Sequence, residues 1–212
     1  MNKIPEPGKF IRENLRFLPA PSIPEISLYT AHPGSGLWRL LGRDNETPPY
    51  WAYHWAGGTV LARYILDRPD TVAGKRVVDL GTGSGIVAIA AVKCGASHIA
   101  AIDIDPIAIV VAALNAEANG VTIDASCKDI LSDPPPDADL ILVGDLFYDP
   151  ALAKRVLPYL RRCREAMIDV LIGDPGREPL PREKLKRLAE YPVADFGEAR
   201  ETASRISGVF TL

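Results

Sequence analysis

Three acids and a run of glycines are the residues of this chain whose types and spacing can do chemistry. In KRVVDLGTGSGI, from Lys75 to Ile86, an apolar run meets Asp79, and Gly81, Gly83 and Gly85 follow at alternate positions. A long apolar-rich segment comes next. That order predicts a buried strand, a tight turn and a helix, and a turn of glycines has no side chains to keep a ligand away. Asp79 narrows the ligand: a carboxylate there repels a pyrophosphate and welcomes an amine or a sulfonium. The spacing agrees. A dinucleotide fingerprint, G-x-G-x-x-G, needs a glycine where Ile86 stands. No Lys-Ser or Lys-Thr follows the loop, as a phosphate-binding P-loop requires.

Asp103 ends the segment IAAID, 24 residues after Asp79. A carboxylate there can accept both hydroxyls of a ribose, as the acid roughly 20 residues after a glycine loop does in related sheets. The alternative is a helix cap, a role that suits Asp105 better because Pro106 follows it. Asp129 follows the next apolar run and is placed to accept from an adenine amino group, since cleft loops collect function. Its alternative is an ordinary solvated loop acid.

The elements that must position these acids follow from the apolar rhythm. Strands are expected near 76–79, 98–103, 122–126, 138–143 and 168–173, with helical patterns between most of them, and a last strand over Ser204–Leu212. Asp105-Pro106 and Asp149-Pro150 each pair a capping acid with a proline at a first helical turn. Leu152, Val156, Leu157 and Leu160 mark the apolar face of the later helix, and Gly58–Asp67 shows another helical face. Leu180–Glu190 is expected to be helical, with Leu185 and Leu188 inward. Residues 1–24 hold an amphipathic piece, Lys9–Phe17, and a proline-rich break; Glu25–Thr30 suits a short strand, and residues 42–50 a loop. Strands alternating with helices imply an α/β fold, a mostly parallel sheet covered on both faces, with ligands at the carboxyl ends of its strands. One domain over 1–212 is expected, with 1–50 as an N-terminal extension of a core over 51–212.

VVDLGTGSG, AIDIDP with Asn115 downstream, and KDI resemble the seven-strand class of S-adenosylmethionine-dependent methyltransferases. The resemblance covers roughly residues 50–212 and implies a Rossmann-like seven-stranded sheet. It places Asp79, Gly81, Gly83 and Gly85 near the methionine end of the cofactor, Asp103 on the ribose and Asp129 on the adenine. Ile104 and Ile130 would stand beside those acids in cofactor contact. After the fourth strand, amide- and base-directed members carry Asn/Asp-Pro-Pro-Tyr/Phe. This chain has Asp145-Leu146-Phe147-Tyr148, which matches the D/E-x-x-Y/F signature of members acting on protein lysines. Pro49–Gly58, PYWAYHWAGG, with DLFYD and LIGDPGR, is similar to the lysine methyltransferases of the electron transfer flavoprotein beta subunit, specifically their bacterial members. The ribosomal-protein methyltransferases resemble it in the cofactor half.

What the resemblance implies is a protein substrate, that beta subunit first. A lysine amine has an unperturbed pKa near 10.4, so neutralising it at pH 7 costs roughly 4–5 kcal/mol. Asp145 would hold the incoming ammonium by a charge-assisted hydrogen bond. Tyr148 would face the methylated nitrogen, a cation–π contact of roughly 0.5–2 kcal/mol. Taken singly these are a loop acid and a core-edge tyrosine; as a spaced pair at the cleft they read as an acceptor site. Trp55 and Gly57-Gly58 are expected to cover the cofactor, and Trp51 and Tyr53 to pack at least as readily as to form a cage. A small-molecule amine as acceptor, and a non-catalytic cofactor binder, are the other readings.

A net charge of −3 and no basic cluster argue against a nucleic-acid partner. No run of roughly 18 apolar residues is present to span a membrane, and the N-terminus makes a poor signal peptide. Cys94, Cys127 and Cys163 form no C-x-x-C pair and are expected to be reduced, mostly buried thiols. With His32, His54 and His98 scattered, no metal site is expected. A cytoplasmic monomer completes the expectation.

Overall fold

Alternation along two strands builds the core on both faces of one sheet. In β3 (Arg76–Leu80) Val77 joins one apolar cluster, while Val78 and Leu80 join the other. In β6 (Leu140–Gly144) Leu140 and Leu142 face the first cluster, and Ile141 and Val143 the second. Strands buried this way on both faces must lie inside a sheet covered by helices. The computed structural model describes residues 5–42, 48–195 and 205–212.

The sheet has seven strands, adding β4 (His98–Asp103), β5 (Asp124–Cys127), β7 (Asp169–Asp174), β8 (Lys186–Val193) and β9 (Arg205–Thr211). Their order is β5-β4-β3-β6-β7-β9-β8. β3 to β7 pair in parallel, and β9 runs antiparallel to both β7 and β8. The chain steps outward from β3 to β5, then restarts on the other side with β6. That reversal opens a crevice at the carboxyl ends of β3 and β6. Asp79 lies on β3, and Asp145 directly follows β6.

Among the described residues six α-helices accompany the strands: α1 (Pro7–Asn14), α2 (Trp38–Leu41), α3 (Ala56–Asp67), α4 (Ile86–Lys93), α5 (Pro106–Ala118) and α6 (Pro150–Glu165). The Asp-Pro caps are as expected. Asp105 accepts from the Ile107 amide at 2.8 Å and Asp149 from the Leu152 amide at 2.8 Å. The N-terminal segment forms a two-stranded antiparallel sheet, β1 (Arg16–Ala20) with β2 (Ile23–Thr30), rather than a proline-rich break. Pro19 is accommodated where the register shifts, and Ser22 turns with φ +66°. Asn115 on α5 ties this hairpin to the glycine loop, accepting from the Tyr29 amide and donating to the Ser84 carbonyl, both at 2.8 Å.

The expected helix over Leu180–Glu190 is not formed. A single 3-10 turn, Arg182–Lys184, leads into β8, and Leu188 is exposed. The governing period is two: Ala189, Tyr191 and Val193 pack on the core while alternate residues face outward. Pairing with β9 outweighs the helical spacing of Leu185 and Leu188. Cys163 is buried and Cys94 half-buried, but Cys127 is exposed at the end of the edge strand β5. Residues 43–47 of the expected loop, and Ser204 of the expected last strand, lie outside the described residues. Among the described residues no helix is long and apolar enough to cross a membrane.

The start of α3 lies against the ends of β6 and β7 with backbone touching backbone. A Cβ at Gly57 would sit 2.4 Å from the Gly173 carbonyl oxygen and 2.7 Å from the Asp145 amide nitrogen. A Cβ at Gly58 would meet only side chains, the nearest at 3.4 Å. Gly57→Ala should therefore destabilise the protein by about 1–3 kcal/mol through overpacking. Gly58→Ala should leave it as stable or slightly more so, since alanine favours a helix interior. Thermal unfolding of the two variants against the parent checks this.

Candidate active site

A cavity of about 350 Å³ opens at the switch point. Its deep end is acidic. Asp79 is buried; its Oδ2 accepts from the Thr82 hydroxyl at 2.6 Å and from the Ala88 amide at 3.2 Å. Its Oδ1 is buried and has no partner among the described residues, although the residue lines the cavity. Burial pushes this carboxyl up to about 7. Such an atom costs free energy until a donor meets it. Asp103 accepts from the Gly83 amide at 2.9 Å and the Asp105 amide at 3.0 Å, and burial raises its pKa as well. Each of its oxygens keeps a lone pair for a hydroxyl. Gly81 lets the chain pass in the left-handed region at φ +70°, and a Cβ there would sit 2.6 Å from Leu146.

The opposite wall comes from the loops after β6 and β7. Asp145 is buried and holds φ +59°, a left-handed conformation that aspartate tolerates better than most residues. Its Oδ2 accepts from the Gly57 amide at the α3 N-terminus at 2.6 Å, and its Oδ1 from Arg177 Nε at 2.7 Å. Burial raises the Asp145 pKa, with Arg177 and Gly57 opposing it. Tyr148 is 43% exposed, with its ring 5.1 Å from that of Tyr50. Tyr50 in turn meets Trp55 edge-on at 5.6 Å and accepts a hydrogen bond from its indole N–H at 2.7 Å. The Arg177 guanidinium lies 5.9 Å from the Trp55 ring centre. Three aromatic rings and one acid thus frame the mouth of the cavity, surfaces that suit a cationic or methylated nitrogen.

Of the residues singled out from the sequence, Asp79, Gly81, Gly83, Asp103, Ile104, Asp129, Ile130, Asp145, Tyr148, Trp55 and Gly58 all line this one cavity. Ile104 is 71% exposed on the rim and Ile130 is buried. Gly85 stands back from it, with its α carbon packed towards Ala112 of α5. Asp129 is already engaged: its Oδ2 accepts from Arg155 at 2.6 Å and its Oδ1 from the Leu131 amide at 3.0 Å. Trp51 is buried in the core and Tyr53 half-buried, and both touch the cavity. The sequence reading missed Tyr50, His54 and Arg177. Tyr50 and His54 lie in the PYWAYHWAGG stretch and Arg177 in LIGDPGR, but nothing local says which of their side chains reach the cleft. Burial lowers the His54 pKa to about 4, so this ring is neutral at neutral pH.

An acidic, glycine-floored cleft at the switch point of this seven-stranded sheet defines a methyltransferase of the seven-strand class. The family model described as ribosomal protein L11 methyltransferase (PrmA) matches residues 57–143. The electron transfer flavoprotein beta subunit lysine methyltransferase of Rattus norvegicus is 41% identical over 196 residues, covering 88% of this chain and 76% of that one. Its counterpart from Homo sapiens is 38% identical over 211 residues, covering 98% and 80%. The crystal structure of ribosomal protein L11 methylase from Lactobacillus delbrueckii subsp. bulgaricus shares the fold with a TM-score of 0.50, at 24% identity over 73% of this chain and 77% of that one. The chain belongs to the family of the electron transfer flavoprotein beta subunit lysine methyltransferases.

The state of Asp79 has a consequence for stability. Its folded pKa of about 7 exceeds the ordinary 3.8, so between those values the folded protein keeps a proton that the unfolded chain has released. Stability contributed by this group therefore falls as pH rises through that window. Asp79→Asn retains an acceptor for Thr82 and Ala88 but carries no charge. Without ligand, the variant should unfold at a higher temperature than the parent at pH 8, and the gap should close below about pH 4. Calorimetric melts at the two pH values test this.

Proposed function

We propose that this chain transfers methyl groups from S-adenosylmethionine to a lysine of the electron transfer flavoprotein beta subunit. The observation that carries the reading is the Asp145–Tyr148 pair opening on the same cavity as the unpartnered Asp79 oxygen. The names of its relatives support the choice of substrate. When bound, S-adenosylmethionine supplies a sulfonium methyl that passes to the lysine amine, with loss of the amine proton and departure of the thioether.

The residues present fit that cofactor. Asp79 Oδ1 awaits a donor such as an amino group, and a cationic ligand would draw Asp79 and Asp103 into their charged forms where an anionic one would oppose them. Asp103 is placed to accept from ribose hydroxyls at the end of β4. Asp129, held by Arg155, serves that end of the site chiefly by fixing the loop that carries the buried Ile130.

At the other end Asp145 binds and orients the ammonium, and the rings of Tyr50, Trp55 and Tyr148 surround the nitrogen and shed water from it. Desolvation in this aromatic mouth lowers the lysine pKa and the charge of Asp145 raises it, so the two oppose each other over the roughly 4–5 kcal/mol needed to neutralise the amine. Correct placement of the amine then supplies much of the rate. Asp145 is a binding group in this scheme, since Gly57 and Arg177 both favour its charged form.

Two variants test the division of labour. With the purified beta subunit as acceptor, Asp145→Ala should cut kcat/KM by about 100-fold or more through misplacement, while S-adenosylhomocysteine affinity changes little. Asp103→Ala should weaken that affinity by about 10- to 100-fold, the loss of hydrogen bonds to a charged group. Transfer assays and calorimetry read the two effects. Normal turnover in Asp145→Ala, or undiminished affinity in Asp103→Ala, would overturn the corresponding assignment.

A further inference from the structure

The loop after β7 brings one cation to a cluster of buried acids, and the acceptor role proposed for Asp145 does not by itself account for it. Arg177 donates from Nε to Asp145 at 2.7 Å, and its Nη2 lies 3.5 Å from Asp195. Its own amide donates to Asp174 Oδ1 at 2.7 Å, as does the Gly176 amide at 2.6 Å. Asp174 is fully buried, and its Oδ2 has no partner among the described residues. Asp195 also accepts from the Ala56 amide at 3.0 Å. Two carboxylates from separate segments therefore meet one guanidinium beside the Trp55 ring, while a third, Asp174, holds the backbone amide of the same arginine.

Without that cation the position of Asp145 would be poor for binding an ammonium. The carboxyl is buried, and Asp195 and Asp174 stand near enough to repel its charge. The other titratable groups of the cleft do not replace Arg177. Tyr148 and His54 are neutral at neutral pH, and Asp79 and Asp103 are acids. Lys128 and Arg155 line the cavity too, with Arg155 held by Asp129. The α3 N-terminus contributes the Gly57 amide and a partial positive charge.

We propose that Arg177 is the positioning residue of the acceptor site: its guanidinium keeps the buried Asp145 carboxylate charged and fixes which oxygen faces the cleft. This rests on the reading of Asp145 as the group that receives the lysine ammonium. Arg177 does not touch the substrate; it acts through Asp145. The sign is set by the neighbours. Removing Arg177 leaves burial and two carboxylates, so Asp145 should take up its proton at higher pH. Removing the charge of Asp195 should do the opposite.

The test titrates Asp145 directly, without turnover. Protein labelled with 13C at aspartate carboxyls is titrated by NMR with S-adenosylhomocysteine bound, and Asp145→Asn identifies the resonance. Arg177→Gln should raise the Asp145 midpoint by about one pH unit or more, Arg177→Lys should restore most of it, and Asp195→Asn should lower it. The acidic limb of the kcat/KM profile should move in the same direction in each variant. An unmoved midpoint in Arg177→Gln that still binds S-adenosylhomocysteine overturns the inference. If Arg177→Gln does not fold, Asp195→Asn decides, because its amide oxygen still accepts from Ala56: a fall supports the inference and no change overturns it. Normal turnover in Asp145→Asn would instead refute the acceptor role of Asp145, and the titration would still judge Arg177.

Discussion

The contact on which the site depends is the backbone-to-backbone approach of α3 to the ends of β6 and β7. A Cβ at Gly173 would lie 2.1 Å from the Gly57 carbonyl oxygen, and one at Gly144 would lie 2.8 Å from the Gly58 α carbon. Four glycines from three segments therefore remove the side chains that would hold these elements apart. The result is chemical as well as steric. The Gly57 amide in the first turn of α3 is delivered to Asp145 at 2.6 Å, where helix-end polarity favours a negative charge. The same approach sets Trp55, just before α3, beside Arg177.

The two ends of the cleft use acids under opposite constraints. Asp79 is buried with one oxygen unpaired and a raised pKa, so it is a group waiting for a donor. Asp145 is buried with both oxygens engaged, so it is held in one orientation before any substrate arrives. Asn115 links the cofactor side to the N-terminal hairpin by bonding both the glycine loop and β2. The hairpin is thereby part of the site's support, since its displacement would disturb the loop below Asp103.

Much of this was legible in the sequence because the signals are local. The strand, glycine turn and helix around Asp79 lie within one short stretch, and the Asp-Pro caps fall within a single helical turn. Asp145 and Tyr148 stand out by their match to the D/E-x-x-Y/F signature of the resembled family, and their place after the fourth strand supports it. What was not legible depends on contacts between distant segments. The Arg177–Asp145 pair joins two loops 32 residues apart, and no periodicity reports such a pairing. The helical spacing of Leu185 and Leu188 points to a helix over Leu180–Glu190, while the core uses Ala189, Tyr191 and Val193 at period two in a strand over Lys186–Val193. Helix α3 begins at Ala56, two residues before the expected face over Gly58–Asp67, and its glycines are what lets the helix pack.

The account's central claim is that one cleft presents a cofactor end at Asp79 and Asp103 to an acceptor end at Asp145 and Tyr148. A crystal structure with S-adenosylhomocysteine bound tests it most directly. The account predicts the ligand's amino group on Asp79, its ribose on Asp103, and its thioether sulfur turned towards Asp145 and Tyr148. A ligand lying the other way round, with its adenine against Asp145, or one bound outside this cleft, would contradict it.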